Sequence, residues 1–136
     1  MKGIALILIS QIILVARCQG NSTSLIGTTW VNEIAEHNCN DSLKFESDST
    51  VIWYSCEIAW HFDARYSRRN DTITILIVDA QFEVDNTDGL EPTSKWILLI
   101  KNTELEHEYI GHKDSSGFKE VSKETYGMIS NYKKVK

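Results

Sequence analysis

Alternation with a period of two, repeated between compact turns, is what most narrows the folds open to this chain. Ile58, Trp60, Phe62, Ala64 and Tyr66 alternate with Ala59, His61, Asp63 and Arg65, as in a strand with one buried and one wet face. The turn-forming run Arg68-Arg69-Asn70-Asp71 follows, and residues 72–78 are rich in β-branched side chains, which favours a second strand. Centring this hairpin on Arg69-Asn70 sets Tyr66 against Ile73, Ala64 against Ile75 and Phe62 against Ile77. Every inward pair is then apolar, so the register is consistent with itself.

The first twenty residues are of a different kind. Met1-Lys2 gives a short basic start, residues 4–15 are apolar except for Ser10 and Gln11, and Arg17, Cys18 and Gly20 close the segment. This is the pattern of a signal peptide over residues 1–20, too short to span a bilayer as a helix. Residues 21–136 then form one domain, as the length of 136 residues allows. Taking Lys2 and Arg17 from the 14 basic residues leaves 12 against 19 acidic ones, a formal charge of −7. Such a domain is a poor partner for nucleic acid or an anionic membrane surface.

Export places the cysteines in an oxidising compartment, where Cys39 and Cys56 are free to pair. The segment Leu43-Lys44-Phe45-Glu46, then Ser47-Asp48, then residues 49–56 reads as a hairpin with a two-residue loop. That register sets Phe45 opposite Thr50, Leu43 opposite Ile52 and Cys39 opposite Cys56, near enough for a disulfide. It turns Trp53 and Val51 to the outer face, as a patch open to a protein partner. Cys18 is left over. It is either discarded with the signal or is the acylated first residue of a lipoprotein, since Leu14-Val15-Ala16-Arg17-Cys18 has the outline of a lipobox. The protein is therefore expected to be secreted, periplasmic or held at the cell surface, with a lipid on Cys18 as its one route to a membrane.

Residues 95–101 and 104–110 form a third hairpin around Asn102-Thr103, with Trp96 facing Tyr109, Leu98 facing His107 and Ile100 facing Leu105. Residues 81–84 and 117–121 read as short strands, residues 28–34 as the first strand, and residues 122–136 as a short helix or a further strand. Eight or nine strands in up-and-down antiparallel order curl into a barrel, because closure removes exposed edges.

Gly27-Thr28-Thr29-Trp30 at the start of the first strand resembles the Gly-x-Trp opening of lipocalins. Residues 25–77 resemble the small lipocalin-like domains of many exported bacterial proteins, through Cys39-Asn40-Asp41, Leu43-Lys44-Phe45, Ser47-Asp48 and the long hairpin that begins at Trp60. The resemblance implies an all-β, eight-stranded calycin-type barrel whose interior holds a small hydrophobic molecule. It also implies that Trp30, introduced by Gly27, packs across the closed end as a structural residue.

Little in the residues points to catalysis or a metal. His37 sits near Cys39, His61 lies on the wet face, and His107 and His112 lack a third partner at ligand spacing. No Gly-x-Ser-x-Gly elbow, Cys-x-x-Cys pair or phosphate-cradling glycine loop occurs. Neither an enzyme, a metal nor a cofactor is expected. Aromatic residues are the positive signal: Trp60, Phe62, Tyr66, Trp96 and Tyr109 fall on inward faces, with His107 among them. Together they suggest an apolar cavity with a few orienting polar groups, in a monomer that binds a small apolar ligand. A second reading is a protein-binding module such as an inhibitor of a secreted hydrolase; small lysozyme inhibitors are similar in a Tyr-x-Cys strand, here Tyr54-Ser55-Cys56. Outward Trp53 would favour that reading, and a hollow interior lined by Trp60, Trp96 and Tyr109 the first.

Overall fold

The computed structural model describes residues 23–34, 38–79, 89–122 and 131–135, where the alternation becomes nine antiparallel strands with no α-helix among the described residues. They are β1 (Thr29–Ile34), β2 (Cys39–Phe45), β3 (Thr50–Ser55), β4 (Trp60–Arg69), β5 (Thr72–Ile77), β6 (Ser94–Lys101), β7 (Glu104–Asp114), β8 (Gly117–Glu120) and β9 (Tyr132–Lys134). From β1 to β7 each strand pairs with its neighbour in sequence, and β9 enters between β7 and β1 to close a ring of eight. The chain's tail thus supplies the closing strand, through Leu105↔Tyr132 and Val31↔Lys133. β8 stands outside the ring and pairs with the far end of β7. The signal segment 1–20 with Cys18, His37, and the expected strand at residues 81–84 lie outside the described residues.

Inward positions carry the core: Leu43 and Phe45 from β2, Phe62, Ala64 and Tyr66 from β4, all three isoleucines of β5, Trp96 and Leu98 from β6, and Leu105 from β7 are buried. Their alternation with exposed charges on β4 is the expected one-sided strand. Local turn chemistry, however, moves three of the expected registers.

The β4–β5 hairpin turns on Asn70-Asp71, with Asn70 at φ 55°. Asparagine tolerates this left-handed conformation and arginine does not, so both arginines stay in the strand. Tyr66 therefore faces Ile75 and Ala64 faces Ile77. The shift is two residues, and every side chain keeps its face. Asn102 occupies the equivalent place between β6 and β7, at φ 56°, where the expected pairs Leu98↔His107 and Ile100↔Leu105 occur.

Between β2 and β3 the shift is one residue, and a one-residue slip exchanges faces. The Ser47 hydroxyl accepts hydrogen bonds from the amides of Ser49 (3.2 Å) and Thr50 (3.0 Å), so this turn takes up more chain than a two-residue loop. Phe45 pairs with Val51 and Leu43 with Trp53. Val51 and Trp53 consequently point inward, not outward, while Ile52 and Tyr54 take the outer face. The outer aromatic patch expected at Val51 and Trp53 is absent. Cys56, now one residue past the end of β3, still reaches Cys39 at a Cα–Cα distance of 5.9 Å and forms the disulfide.

The third change lies in β7. Its register against β6 shifts between Ile97 and Leu98, so that Ile97 faces Tyr109 while Leu98 faces His107, and Glu108 is the extra residue of a β-bulge. Beyond the bulge the faces exchange: Ile110 pairs with Trp96 and is buried, and Tyr109 turns outward. Its ring lies across Gly111, where a Cβ would come within 2.4 Å of the phenol oxygen.

One end of the barrel is closely packed. Gly27, at φ 78°, turns the chain so that its amide reaches the Phe45 carbonyl at 2.8 Å. Trp30 follows, 3% exposed, its indole N–H donating to Thr28 Oγ1 at 2.9 Å. Tyr66 seals the adjacent corner, donating from its hydroxyl to the Ser47 carbonyl at 2.7 Å and meeting Phe45 edge-on.

Candidate functional site

Above this packed end the barrel changes character, because its inward positions become polar and aromatic together. On β1 the residue two beyond Trp30 is Asn32, and its partner across the ladder is Asp41 on β2. Leu43 and Asp41 share a face by alternation, as do Trp53 and Ser55 on β3. β7 contributes His107 below its bulge, and β9 contributes Tyr132.

The rings form a continuous wall. Trp53 stacks on Phe62 at 4.6 Å and meets Trp96 edge-on at 4.7 Å; Trp96 meets His107 at 5.8 Å, and His107 meets Tyr132 at 5.6 Å. Such contacts fix ring positions by their quadrupoles as well as by area. Trp53 and His107 point inward yet keep part of their surface accessible, unlike the fully buried isoleucines of β5.

Among the described residues, five buried polar atoms in this region have no hydrogen-bond partner: both ends of the Asn32 amide, the Trp53 indole nitrogen and both nitrogens of His107. Asn32 is 1% exposed. The Trp53 N–H lies close enough to Asp41 and to the Tyr132 hydroxyl to draw both pKa values down, but forms a well-aligned bond with neither. Burial is the stronger influence on both groups and pushes them up overall. Asp41 accepts a hydrogen bond from the Cys56 amide at 2.8 Å, so the disulfide turn also holds this carboxylate. Each buried polar atom left unpaired costs on the order of 1–3 kcal/mol, and native interiors rarely carry several together.

Burial lowers the His107 pKa to about 4, well below the ordinary 6.5. The folded barrel thus holds a neutral imidazole with one donor and one acceptor. A depressed histidine pKa stabilises the fold fully above pH ~6.5, and that stability is lost as pH falls toward 4. Urea unfolding is expected to show roughly 2 kcal/mol less stability at pH 4.5 than at pH 7, after discounting for the partial exposure of His107. His107→Phe should remove that dependence; an unchanged slope would show that His107 is not the titrating group.

The residues expected to gather in the interior divide. Phe62, Trp96 and His107 come together in the wall. Tyr66 sits at the packed end with its hydroxyl occupied, Trp60 keeps the inward parity but stands at the rim, 41% exposed, and Tyr109 is on the outer surface beside the Lys95 ammonium. Ile58, expected within a strand, lies in the exposed turn beside Trp60. Asn32, Asp41, Trp53 and Tyr132 were not expected. Asn32 was within reach of sequence reasoning, as the inward position next after Trp30.

A serine, a histidine and an aspartate also meet elsewhere. The buried Ser94 hydroxyl lies 2.5 Å from Asp79 Oδ2 and 2.8 Å from His112 Nδ1, and Thr93 also donates to Asp79, at 2.9 Å. In a nucleophilic triad the carboxylate holds the imidazole nitrogen remote from the serine. Here carboxylate and imidazole converge on the same hydroxyl, with Asp79 Oδ2 3.8 Å from that same Nδ1. The arrangement ties the start of β6 to the end of β5 and to β7.

Comparison of the chain with protein-family models, with curated proteins and with solved structures finds no match.

Proposed function

We propose that this barrel is an exported binding protein, lipocalin-like in plan, that takes a small molecule with an apolar body and a hydrogen-bonding end into the half beyond its packed end. The observation that carries the reading is the set of five unpaired polar atoms on Asn32, Trp53 and His107, set within an aromatic wall. A ligand whose polar end pairs these atoms would relieve their desolvation, while Phe62, Trp53 and Trp96 cover its apolar part. The close packing around Trp30 and Tyr66 supports one-ended entry.

Binding without catalysis is supported by the shared hydroxyl of Ser94, which leaves His112 without the carboxylate orientation a general base needs. The Cys39–Cys56 bond supports an oxidising compartment, reached by way of the signal segment, with Cys18 either removed or lipidated. The inhibitor-like reading loses its main support, because Trp53 faces the interior.

Titration of tryptophan emission with a panel of fatty acids, retinoid-like probes and short aromatic alcohols tests the proposal. Saturable quenching at micromolar concentration by at least one class is expected, weakened at least tenfold by Trp96→Ala. Linear or absent responses across the panel would overturn it.

A further inference from the structure

Asp41 gives the interior a charge as well as a set of hydrogen-bonding groups. It is the partner of Asn32 across the β1–β2 ladder, lies against the Trp53 indole and acts electrostatically on the Tyr132 hydroxyl. Among the described residues no Lys, Arg or His side chain is seen to pair with it, and the Cys56 backbone amide donates to it. The buried polar residues among those described are Asn32, Ser55 and Ser94, so none of them is cationic. Asp41 itself is half-buried, and a partly desolvated carboxylate beside a buried, unpaired amide favours a cationic partner.

The surroundings fit a positive charge. Tryptophan, phenylalanine and tyrosine faces attract cations through their quadrupoles, and Trp53, Phe62, Trp96 and Tyr132 belong to the aromatic wall on this side of the barrel. Neutral His107 has a free ring lone pair, and the orphaned Asn32 Oδ1 is a second acceptor. An anionic ligand would meet the field of Asp41, and beyond it a mature chain with 12 basic and 19 acidic residues, which attracts cations from a distance.

We propose that the ligand's polar end is a protonated amine, held between the Asp41 carboxylate and the Asn32 carbonyl oxygen within the ring of Trp53, Trp96, His107 and Tyr132. The ammonium donates to the two oxygens, and the remaining donors, Asn32 Nδ2 and the Trp53 N–H, select for an oxygen elsewhere on the molecule. This inference rests on the binding function proposed above and names the chemical class that function serves.

Isothermal titration at pH 7.5 with three ligands of one body separates the possibilities: phenethylamine, 2-phenylethanol and 3-phenylpropionate. The amine is expected to bind at least tenfold more tightly than either of the others. Asp41→Asn, which keeps an acceptor for the Cys56 amide, should weaken the amine at least tenfold and so abolish its preference over phenylethanol. If phenylethanol or phenylpropionate binds wild type as well as the amine does, the amine inference is overturned while the binding function stands. If none of the three binds, and the wider panel fails too, both fall. The wild-type comparison decides even if Asp41→Asn does not fold.

Discussion

Trp30→Ala will lower the free energy of unfolding by about 4 kcal/mol, the range for losing a buried tryptophan with partial collapse around the cavity. Three structural roles meet in this side chain. It is buried to 3% exposure, its indole donates to Thr28 Oγ1, and that hydroxyl in turn donates to the Leu25 carbonyl at 2.5 Å. The Lys134 ammonium lies 6.0 Å from its ring centroid, which brings β9, the closing strand, to the same residue. Small barrels have few positions where one side chain touches both the packed end and the seam. Trp60→Ala, at the rim, should cost less than 1 kcal/mol in the same urea titration. A Trp30 effect no larger than that of Trp60 would contradict the assignment of the packed end.

Removing the disulfide comes second. Cys39 and Cys56 are 17 residues apart, and the chain-entropy model gives roughly 3 kcal/mol for closing such a loop. A Cys39→Ser/Cys56→Ser double variant is expected to melt about 10 °C lower. The consequence for the interior is more specific. The Cys56 amide is a hydrogen-bond donor to Asp41, so freeing the turn also frees the carboxylate. Ligand affinity should therefore fall in the double variant even at temperatures where the barrel remains folded. Full stability without the bond would mean that the ladder alone fixes β2 against β3.

The barrel was legible because alternation and turn residues are local signals. Asn102-Thr103 and the apolar faces of β4 and β5 were enough to order three hairpins, and an error of two residues at Asn70 did no harm because parity survives an even shift. The slip at Ser47 and the bulge at Glu108 did harm, since each inserts one residue and exchanges the faces beyond it. Nothing in the composition of Glu46-Ser47-Asp48-Ser49 announces that the Ser47 hydroxyl will gather two amides. The bulge is equally silent, because His107, Glu108 and Tyr109 continue a strand pattern whichever of them is unpaired.

The site was less legible for a different reason. Reading inward positions from apolarity discards polar ones, so Asn32 and Asp41 were passed over although they share faces with Trp30 and Leu43. Tyr132 lies in a segment whose role depends on ring closure, a long-range event with no local signature. The disulfide was correctly paired from a register that is one residue off, because Cys56 leaves the strand and the turn makes up the difference.

Whether Asn32, Trp53 and His107 receive a ligand is read from the indole N–H resonances of the four tryptophans. In a ¹⁵N-resolved titration with the tightest-binding amine, the Trp53 indole proton and the Asn32 side-chain amide are predicted to shift downfield as they acquire acceptors. The Trp30 indole proton, already bonded to Thr28, should stay in place. Unmoved Trp53 and Asn32 signals under saturating ligand, or shifts confined to Trp60 at the rim, would contradict such binding.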